Sequence, residues 1–346
     1  MSGAPFGGVE RQVERLVGAL EQERFVQRVM LRQNRARAER LAAIGAVAVE
    51  MSFPSRFAFL DRRKINGEIR RFDPDIVVSW TPDTAAFVEK GAFIHLGRIG
   101  PTFDSGLLSR CDHLFTPSVS RADRAMAAQW PAKRVHVLPH VPALKFDETK
   151  TALAIRKKFY TPPNAKLIVT VARLNEHSGL DVLFAALSRL PEHYLWVVGD
   201  GESRSLLEEK AHEAGVKPRT RFIGWHDDVT PIIAASDVFV YPATNEDVGD
   251  AVVEAWGANV PIVASDSLGP GLLINHKENG LLVPVGDAVS MAEAIKWICR
   301  DGELAKKLSE NGKLTYTKTF AAEKVVPQYR ELFKQLASEL APKMGI

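Results

Sequence analysis

Cysteine is scarce in this 346-residue chain, which contains only Cys111 and Cys299. They stand far apart and form no CxxC pair, so the sequence predicts neither a disulfide framework nor a zinc site. Long apolar runs are also lacking: LAAIGAVAV, residues 41–49, falls well short of the roughly 18 residues that span a bilayer. The start MSGAPFGG has no charged-then-apolar signal pattern. We therefore expect a globular, cytoplasmic protein.

Net charge is small, at +3, but it is unevenly distributed. Residues 1–150 hold 23 Lys and Arg against 17 Asp and Glu, whereas the remainder holds 22 against 25. The basic side chains of the first part are Arg24, Arg28, Arg32, Arg35, Arg37, Arg40, Arg62, Arg63, Lys64, Arg70 and Arg71, among others. They allow two interpretations: peripheral contact with an anionic membrane or a phosphorylated acceptor, or a solvated helix face. No aromatic residues are interleaved with them, so a nucleic-acid partner is disfavoured.

Short apolar runs alternate with segments of helical period along the chain, which is typical of βα units and parallel sheets. Twelve runs predict strands, six in each half. They are residues 25–31, 46–49, 75–80, 92–95, 114–117, 135–139, 167–172, 195–199, 221–224, 238–241, 261–265 and 280–283. We predict an α/β protein of two domains, 1–143 and 144–321, followed by a last helix within 322–346.

The first helix is predicted from apolar residues spaced i, i+4, i+7, i+8 and i+11. These residues are Val9, Val13, Leu16, Val17 and Leu20. The glycine turn GAPFGG comes directly before them. A doubly wound domain normally places a buried strand ahead of such a turn. We therefore expect that the sheet of the first domain lacks its first strand, or that the sequence starts late.

Glu246 and Glu254 stand eight residues apart, where a loop follows a predicted strand and Gly249 opens a helix. Eight residues span about 12 Å of helix, so the two carboxylates can contact separate parts of one elongated ligand. A carboxylate can accept two hydrogen bonds, which suits adjacent sugar hydroxyls. Glu254 also lies in an otherwise apolar run, where an unpaired acid is costly. Both acids are therefore candidates for ligand binding.

Arg173 follows the predicted strand 167–172, at the edge where open α/β sheets bind ligands. Its permanent, forked charge suits a diphosphate, although a strand-end arginine is commonly a surface ion-pair partner. Gly269 and Gly271 lie at the start of a short helix, where backbone N–H groups attract phosphate. The turn at residues 199–201 lacks the third glycine of a dinucleotide fingerprint, so an NAD-dependent dehydrogenase is disfavoured.

Taken in this order, the motifs resemble family 4 retaining glycosyltransferases, enzymes of the GT-B fold. In that fold two Rossmann-like domains with parallel sheets face each other across a deep interdomain cleft. The E-x7-E motif of the family matches Glu246 to Glu254, and the resemblance covers essentially the whole chain. Segments 94–118, 130–140, 222–229 and 279–284 look like the bacterial branch that builds lipopolysaccharide core and other surface glycans. The resemblance also implies that the last helix packs back on the first domain.

The resemblance implies a role for each matched residue. Glu254 would bind the nucleotide ribose and Glu246 the donor sugar, while Arg173 would neutralise the diphosphate. His95, taken as a strand-end residue, would face the sugar. Further donor contacts would come from Gly7, Gly8, Gly224, Trp225, Val248, Gly249, Gly269, Gly271 and Leu272. The last three would offer backbone amides to the diphosphate.

The implied reaction moves a hexose from a nucleotide-diphosphate sugar to a glycan or lipid-linked acceptor, with retention and without a metal or other cofactor. The sequence departs from the family pattern at three positions. Ser178 stands where Lys is usual, Leu272 where an acid is common, and His140 where Asn is usual. A second interpretation therefore stays open: a catalytically weak or inactive glycosyltransferase-like scaffold module in a glycan-assembly complex.

Overall fold

The computed structural model describes residues 7–23, 25–51, 58–142, 152–245 and 247–340. The chain divides into two compact units. Unit 1 comprises Met1–Leu144 and Ala322–Ile346, and unit 2 comprises Lys145–Ala321. The sequence-based boundary, between residues 143 and 144, lies one residue away from this division.

Unit 1 alternates helices and strands. Its elements up to the division are α1 (Gly8–Gln22), β1 (Arg28–Arg32), α2 (Arg35–Ala43), β2 (Val47–Met51), α3 (Ala58–Phe72), β3 (Ile76–Ser79), α4 (Pro82–Ala85), β4 (Ile94–Arg98), α5 (Ser105–Leu108), β5 (His113–Thr116), α6 (Val119–Ala127) and β6 (Val135–Val137). The first predicted helix is confirmed, because α1 buries Val13, Leu16, Val17 and Leu20 along one face.

Unit 2 continues the alternation. Its elements are α7 (Ala152–Lys158), β7 (Lys166–Val171), α8 (Leu180–Ser188), β8 (His193–Val198), α9 (Arg204–Glu213), β9 (Thr220–Gly224), α10 (Thr230–Ala234), β10 (Val238–Tyr241), α11 (Asp250–Gly257), β11 (Ile262–Ser265), α12 (Leu268–Leu273), β12 (Leu281–Val283), α13 (Ala288–Arg300) and α14 (Gly302–Thr315). The last helix, α15 (Ala322–Ser338), belongs to unit 1.

All twelve predicted strands are present, with ends shifted by a few residues. One shift changes the interpretation of a site residue. The strand predicted over residues 92–95 is β4, which begins at Ile94 and runs to Arg98. It extends further because the ladder with β3 continues to the pair Ser79 and Gly97. His95 is therefore the second residue of its strand, and the prediction that it ends the strand is wrong.

Unit 2 contains one continuous parallel sheet in the order β12-β11-β10-β7-β8-β9. Apolar cores cover both of its faces: Leu167 and Val169 of β7 join one core, and Ile168 joins the other. Strands buried on both faces need apolar residues at nearly every position. This is why the unit 2 strands stand out in the sequence as uninterrupted apolar runs.

Unit 1 contains two separate parallel ladders, β1-β2 and β3-β4-β5-β6. Helices α1 and α15 share the largest apolar core of this unit. The Tyr329 hydroxyl of α15 donates to the Pro139 carbonyl oxygen at 3.0 Å, and Arg330 pairs with Glu23 at 3.1 Å. These contacts, together with its apolar face, hold α15 to the rest of unit 1.

Many basic side chains of unit 1 already have acidic partners. Arg37 and Arg40 contact Glu14 at 3.1 and 2.9 Å, and Arg71 pairs with Glu68. Helix α3 nevertheless exposes a basic set: Arg62, Arg63, Lys64, Arg70 and Arg71. Within the described ranges, no helix has both the length and the apolar composition needed to cross a membrane.

Candidate functional site

The carboxyl-end edge of the unit 2 sheet carries most of the predicted site residues. Every pairing in this sheet is parallel, so its strands all end at one edge. Open α/β sheets bind ligands at that edge. The loops that follow β7 to β11 pack against one another there, and glycines at four contact points allow the close approach.

The loops after β7 and β8 touch through their backbones. A Cβ atom on Gly199 would overlap the carbonyl oxygen of Ala172, and one on Gly201 would overlap that of Leu174. The Leu174 N–H donates to the Asp200 carbonyl oxygen at 3.1 Å. The two-glycine turn therefore serves this loop contact, which holds the backbone next to Arg173 in place.

The Arg173 side chain extends into solvent from this loop. It is 76% exposed, and its guanidinium lies 3.6 Å from the carboxylate of Glu202. Exposed ion pairs contribute about 1 kcal/mol or less, so an anionic ligand can displace Glu202 at small cost. Ser178, in the position where the resemblance implies Lys, is buried, and its N–H donates to the Asn175 carbonyl oxygen at 3.2 Å.

The loops after β7 and β10 also meet. Gly179 precedes α8 in the left-handed region, with φ of 67°, and a Cβ there would overlap the carbonyl oxygen of Pro242. The Thr244 N–H donates to the His177 carbonyl oxygen at 3.1 Å. The loop that bears Arg173 is thus tied directly to the loop that leads into α11.

Helix α11 carries the second acid of the E-x7-E motif. Gly249 precedes this helix with φ of 72°, and Glu254, its fifth residue, is half-buried. A Cβ on Gly269 would come within 2.9 Å of the Val248 nitrogen and 3.0 Å of the Gly249 nitrogen. The start of α12 therefore lies against the backbone that leads into α11. The prediction for Glu246 falls outside the described residues.

Helix α12 supplies fewer amides than the sequence suggested. The Gly271 N–H donates to the Ser267 carbonyl oxygen at 2.8 Å, because Gly271 lies far enough into the helix to close its first turn. This amide is therefore engaged within the helix, and its contact with a phosphate stays a prediction. Leu272 is 64% exposed on the same short helix.

The predicted base-binding residues follow β9. Gly224 has φ of 85°, and its carbonyl oxygen accepts from the Gly199 N–H at 2.9 Å. The half-exposed Trp225 donates from Nε1 to Asp227 at 3.2 Å. This loop therefore adjoins the turn after β8, at the opposite end of the row of loops from α12.

Gly7, Gly8 and His95 belong to unit 1. Gly7 precedes α1, and nothing lies within 4 Å of a Cβ placed on Gly8. His95 is buried, with Nε2 2.8 Å from the Ser79 hydroxyl and Nδ1 3.2 Å from the Arg110 carbonyl oxygen. Burial lowers the pKa of His95 from 6.5 to about 4. The imidazole is therefore neutral near pH 7, and its contact with a donor sugar stays a prediction.

The sequence motifs do not indicate two arginines that the structure places at the ends of elements. Arg98 ends β4, is buried, and lies 3.3 Å from the Nε2 atom of His140 through Nη2. The correct end of β4 would have identified it as the strand-end residue. Arg204 begins α9 and donates to the Phe222 carbonyl oxygen at 3.3 Å. Arg204 comes directly after the turn at residues 199–203, and this position in the sequence could have indicated it as a candidate site residue.

Comparisons with known proteins identify the family of this chain. The family model described as "Glycosyl transferases group 1" matches residues 152–315, which include every predicted site residue of unit 2. Lipopolysaccharide core biosynthesis glycosyltransferase LpsE of Rhizobium meliloti (strain 1021) is 34% identical over 336 residues, covering 94% of this chain and 95% of that protein. LpsD of the same organism is 29% identical over 332 residues, again covering 94% and 95%.

The fold also has a solved counterpart. Anabaena HepE, in a crystal structure with UDP-glucose, matches with a TM-score of 0.83 and 18% identity, covering 97% of this chain and 98% of that one. The parallel α/β architecture is thus that of GT-B glycosyltransferases. The chain belongs to the group 1 glycosyl transferases, because its identity with LpsE extends over nearly the whole of both proteins.

Proposed function

We propose that this protein transfers a hexose from a nucleotide-diphosphate sugar to a glycan or lipid-linked acceptor during synthesis of lipopolysaccharide or another surface polysaccharide. The observation that carries the proposal is the row of touching loops at the edge of the unit 2 sheet. That row places the loop of Arg173, the helix of Glu254 and the start of α12 along one surface. The names of LpsE and LpsD support a surface-glycan acceptor, and the UDP-glucose complex of HepE supports the donor class.

Each of three charged residues has a distinct task in the proposed reaction. The Glu254 carboxylate accepts hydrogen bonds from the two ribose hydroxyls, which are spaced to suit one bidentate acceptor. The Arg173 guanidinium faces the diphosphate, where negative charge grows as the bond to the sugar breaks. Glu246 contacts the donor sugar in this scheme. The sugar keeps its anomeric configuration, because the departing phosphate accepts the acceptor's proton on the same face.

No divalent cation is required in the proposed reaction, because Arg173 and the backbone amides at the starts of α11 and α12 stabilise the leaving group. Within the described residues, no three His, Cys, Asp or Glu side chains come together as a metal-binding group. Assays with and without EDTA test the metal requirement directly. Transfer that is abolished by EDTA and restored by Mg²⁺ would overturn this part of the proposal.

The donor site is tested with Glu254→Gln. We expect donor binding to weaken by about 10- to 100-fold, because hydrogen bonds to a charged group are worth about 1.5–3 kcal/mol. Thermal shifts with UDP-, GDP- and ADP-sugars measure the binding, and release of nucleoside diphosphate measures turnover. Glu310→Gln, on an exposed position of α14, is the matched control and should change neither. If the folded wild-type protein shows neither donor hydrolysis nor sugar transfer with any donor of the panel, the proposed glycosyltransferase activity is excluded.

A scaffold without catalytic activity is the second candidate, and Ser178 is the residue that favours it. The comparisons do not favour a scaffold, since LpsE and LpsD are both named as glycosyltransferases. Ser178→Lys separates the two candidates. A large gain of donor binding or turnover would indicate that the native site is degraded. Because Ser178 is buried, a thermal unfolding curve without ligand must show that the variant folds.

The basic surface of α3 supports a peripheral membrane role for unit 1. Arg62, Arg63 and Lys64 are consecutive and exposed. Each basic residue near an anionic bilayer contributes about 1 kcal/mol, so a cluster is needed for stable contact. Co-sedimentation with phosphatidylglycerol vesicles should decrease when all three are changed to Gln. Equal sedimentation of the variant, or of the wild type with phosphatidylcholine vesicles, would favour a solvated helix face.

A further inference from the structure

Helix α11, which carries Glu254, has only two turns, over Asp250–Gly257. A helix of this length is not stable on its own in water, so its orientation is set by the contacts at its two ends. At the amino end, the backbone that leads into α11 contacts Gly269 of α12. At the carboxyl end, the contacts come from α14 and the turn that follows it. Both ends therefore determine where the Glu254 carboxylate lies.

Lys313 of α14 caps the carboxyl end of α11. Its Nζ atom donates to the Gly257 carbonyl oxygen at 2.6 Å. This oxygen is one of the last four carbonyls of the helix, which have no partner within the helix itself. A cation at this end also interacts favourably with the helix dipole. The half-buried ammonium lies 5.2 Å from the centroid of the Tyr316 ring, so the side chain is held on a second side.

The turn that follows α14 is a π-helix, Tyr316–Phe320. Such turns are rare and occur frequently at functional sites. Here the turn brings two aromatic rings against the end of α11. A Cβ on Gly257 would lie 3.1 Å from the Tyr316 ring, and the Phe320 ring centroid is 6.2 Å from that of Trp256. The end of α11 is therefore packed against rings as well as capped.

Trp256, two residues after Glu254, is fully buried and has two further contacts. Its Nε1 atom donates to the Asn279 carbonyl oxygen at 2.8 Å. A Cβ on Gly312 would overlap the indole ring, so a glycine allows α14 to lie this close. Asn279 in turn accepts from the Asn275 N–H at 2.8 Å through Oδ1, in the segment that follows α12. The end of α11 and the segment after α12 are thus held together.

We propose that Lys313 is a positioning residue of the donor site, which sets the place of the Glu254 carboxylate by capping α11. The inference rests on the proposed function, in which Glu254 binds the nucleotide ribose. Glu254 precedes the capped residue, Gly257, by about one helical turn. A bidentate contact with two ribose hydroxyls tolerates little displacement. Without the cap, the last turn of α11 shifts and the ribose is bound less tightly.

The test compares Lys313→Met with Leu308→Ala. Methionine has no ammonium to donate to Gly257. Leu308 lies on the same helix but is fully buried in the core on the opposite face of the sheet from α11. Its truncation therefore destabilises unit 2 without removing a contact of α11. Lys306→Met, at an exposed position of α14, controls for the loss of one positive charge.

The first readout is release of nucleoside diphosphate, with the UDP-, GDP- or ADP-sugar that the wild type uses best. We expect Lys313→Met to raise KM about 3- to 10-fold with kcat within about 2-fold, because binding to the ribose is lost equally in the ground and transition states. Lys313→Arg keeps a cation at the helix end and should return KM to within about 2-fold of the wild-type value. Leu308→Ala lowers the folded fraction, and thus the apparent kcat, without changing KM. Lys306→Met should change neither constant.

The second readout needs no substrate. Hydrogen exchange of the amides in the last turn of α11 should be at least about 5-fold faster in Lys313→Met than in the wild type, while exchange in β7 is unchanged. If Lys313→Met does not fold, Lys313→Gln, which is shorter and uncharged, takes its place.

Two results would overturn the assignment of Lys313. One is unchanged exchange in α11, and the other is a KM that stays at the wild-type value or rises as much in Leu308→Ala as in Lys313→Met. If the wild type turns over no nucleotide sugar of the panel, the proposed function fails, whereas faster exchange in α11 still supports the cap. The two failures are therefore distinguishable.

Discussion

The two units of this protein build parallel sheets from similar sequence patterns, yet the sheets end up differently. The six strands of unit 2 form one ladder, and β10 is buried over its whole length. In unit 1 the ladder is split, and β1 and β2 contain only one buried residue between them, Leu31. An apolar run therefore becomes a buried strand only when neighbouring strands pair with its edges and helices cover its faces.

The same difference should appear in local stability. Regions with open edges and incomplete packing open more readily than continuous sheets. Unit 2 should therefore behave as the rigid part of the protein, whereas the β1 and β2 side of unit 1 should open at lower free energy. Four measurements test this difference between the units.

The largest expected difference is in amide exchange. We expect the amides of β7 and β10 to exchange at least about 10³-fold more slowly than those of β1 and β3, because their opening requires disruption of a continuous core. Hydrogen exchange followed by mass spectrometry of proteolytic fragments measures this ratio. Similar rates in the four strands would show that the split ladder does not weaken unit 1.

The next effect concerns loop packing in unit 2. Gly179→Ala should destabilise this unit by more than about 3 kcal/mol, because the new Cβ meets the Pro242 backbone while φ is 67°. Gly215→Ala is the control, with φ of 68° and nothing within 4 Å, and should cost about 1 kcal/mol. Urea unfolding of both variants gives the comparison. Equal losses would mean that the contact between the loops is dispensable.

Unit 1 should be sensitive to acid through His95. Its folded pKa, about 4, lies below the usual 6.5, so the unfolded state binds more protons between these values. Stability is therefore complete above about pH 6.5 and falls by about 3 kcal/mol as the pH drops to 4. The pH dependence of unfolding should become shallower in His95→Gln but not in His212→Gln, at an exposed position of α9. An unchanged slope in His95→Gln would contradict this assignment.

The smallest expected difference is between the stability costs of truncating two leucines, one in each unit. Leu183 is fully buried in the unit 2 core, and Leu16 lines a cavity of about 490 Å³ that β1 and β3 also line. Leu183→Ala should cost about 4 kcal/mol, near the upper range for such cavities, whereas Leu16→Ala should cost about 2 kcal/mol because part of its packing is already absent. Denaturant unfolding provides both values. A larger loss at Leu16 would indicate that this cavity is closed in solution.

Much of the candidate site could be predicted because strand ends and glycine turns leave local signals. Arg173 and Gly224 were found in this way, since each follows or ends a clear apolar run. The end of β4 was misplaced because Gly97 and Arg98 look like loop residues, although pairing with β3 and β5 keeps them in the strand. As a result, His95 was predicted to end the strand, and Arg98, which does end it, was not predicted as a candidate site residue.

Local sequence patterns were enough to predict the twelve strands, the order of helices and strands, and the family, because periodicity and motif spacing are properties of neighbouring residues. The contact of Gly269 with the backbone before α11, the engaged amide of Gly271 and the cavity lined by β1 and β3 became visible in the folded structure alone. These features depend on residues distant in the chain, and whether a strand edge is paired or an amide is engaged is settled only when those residues meet.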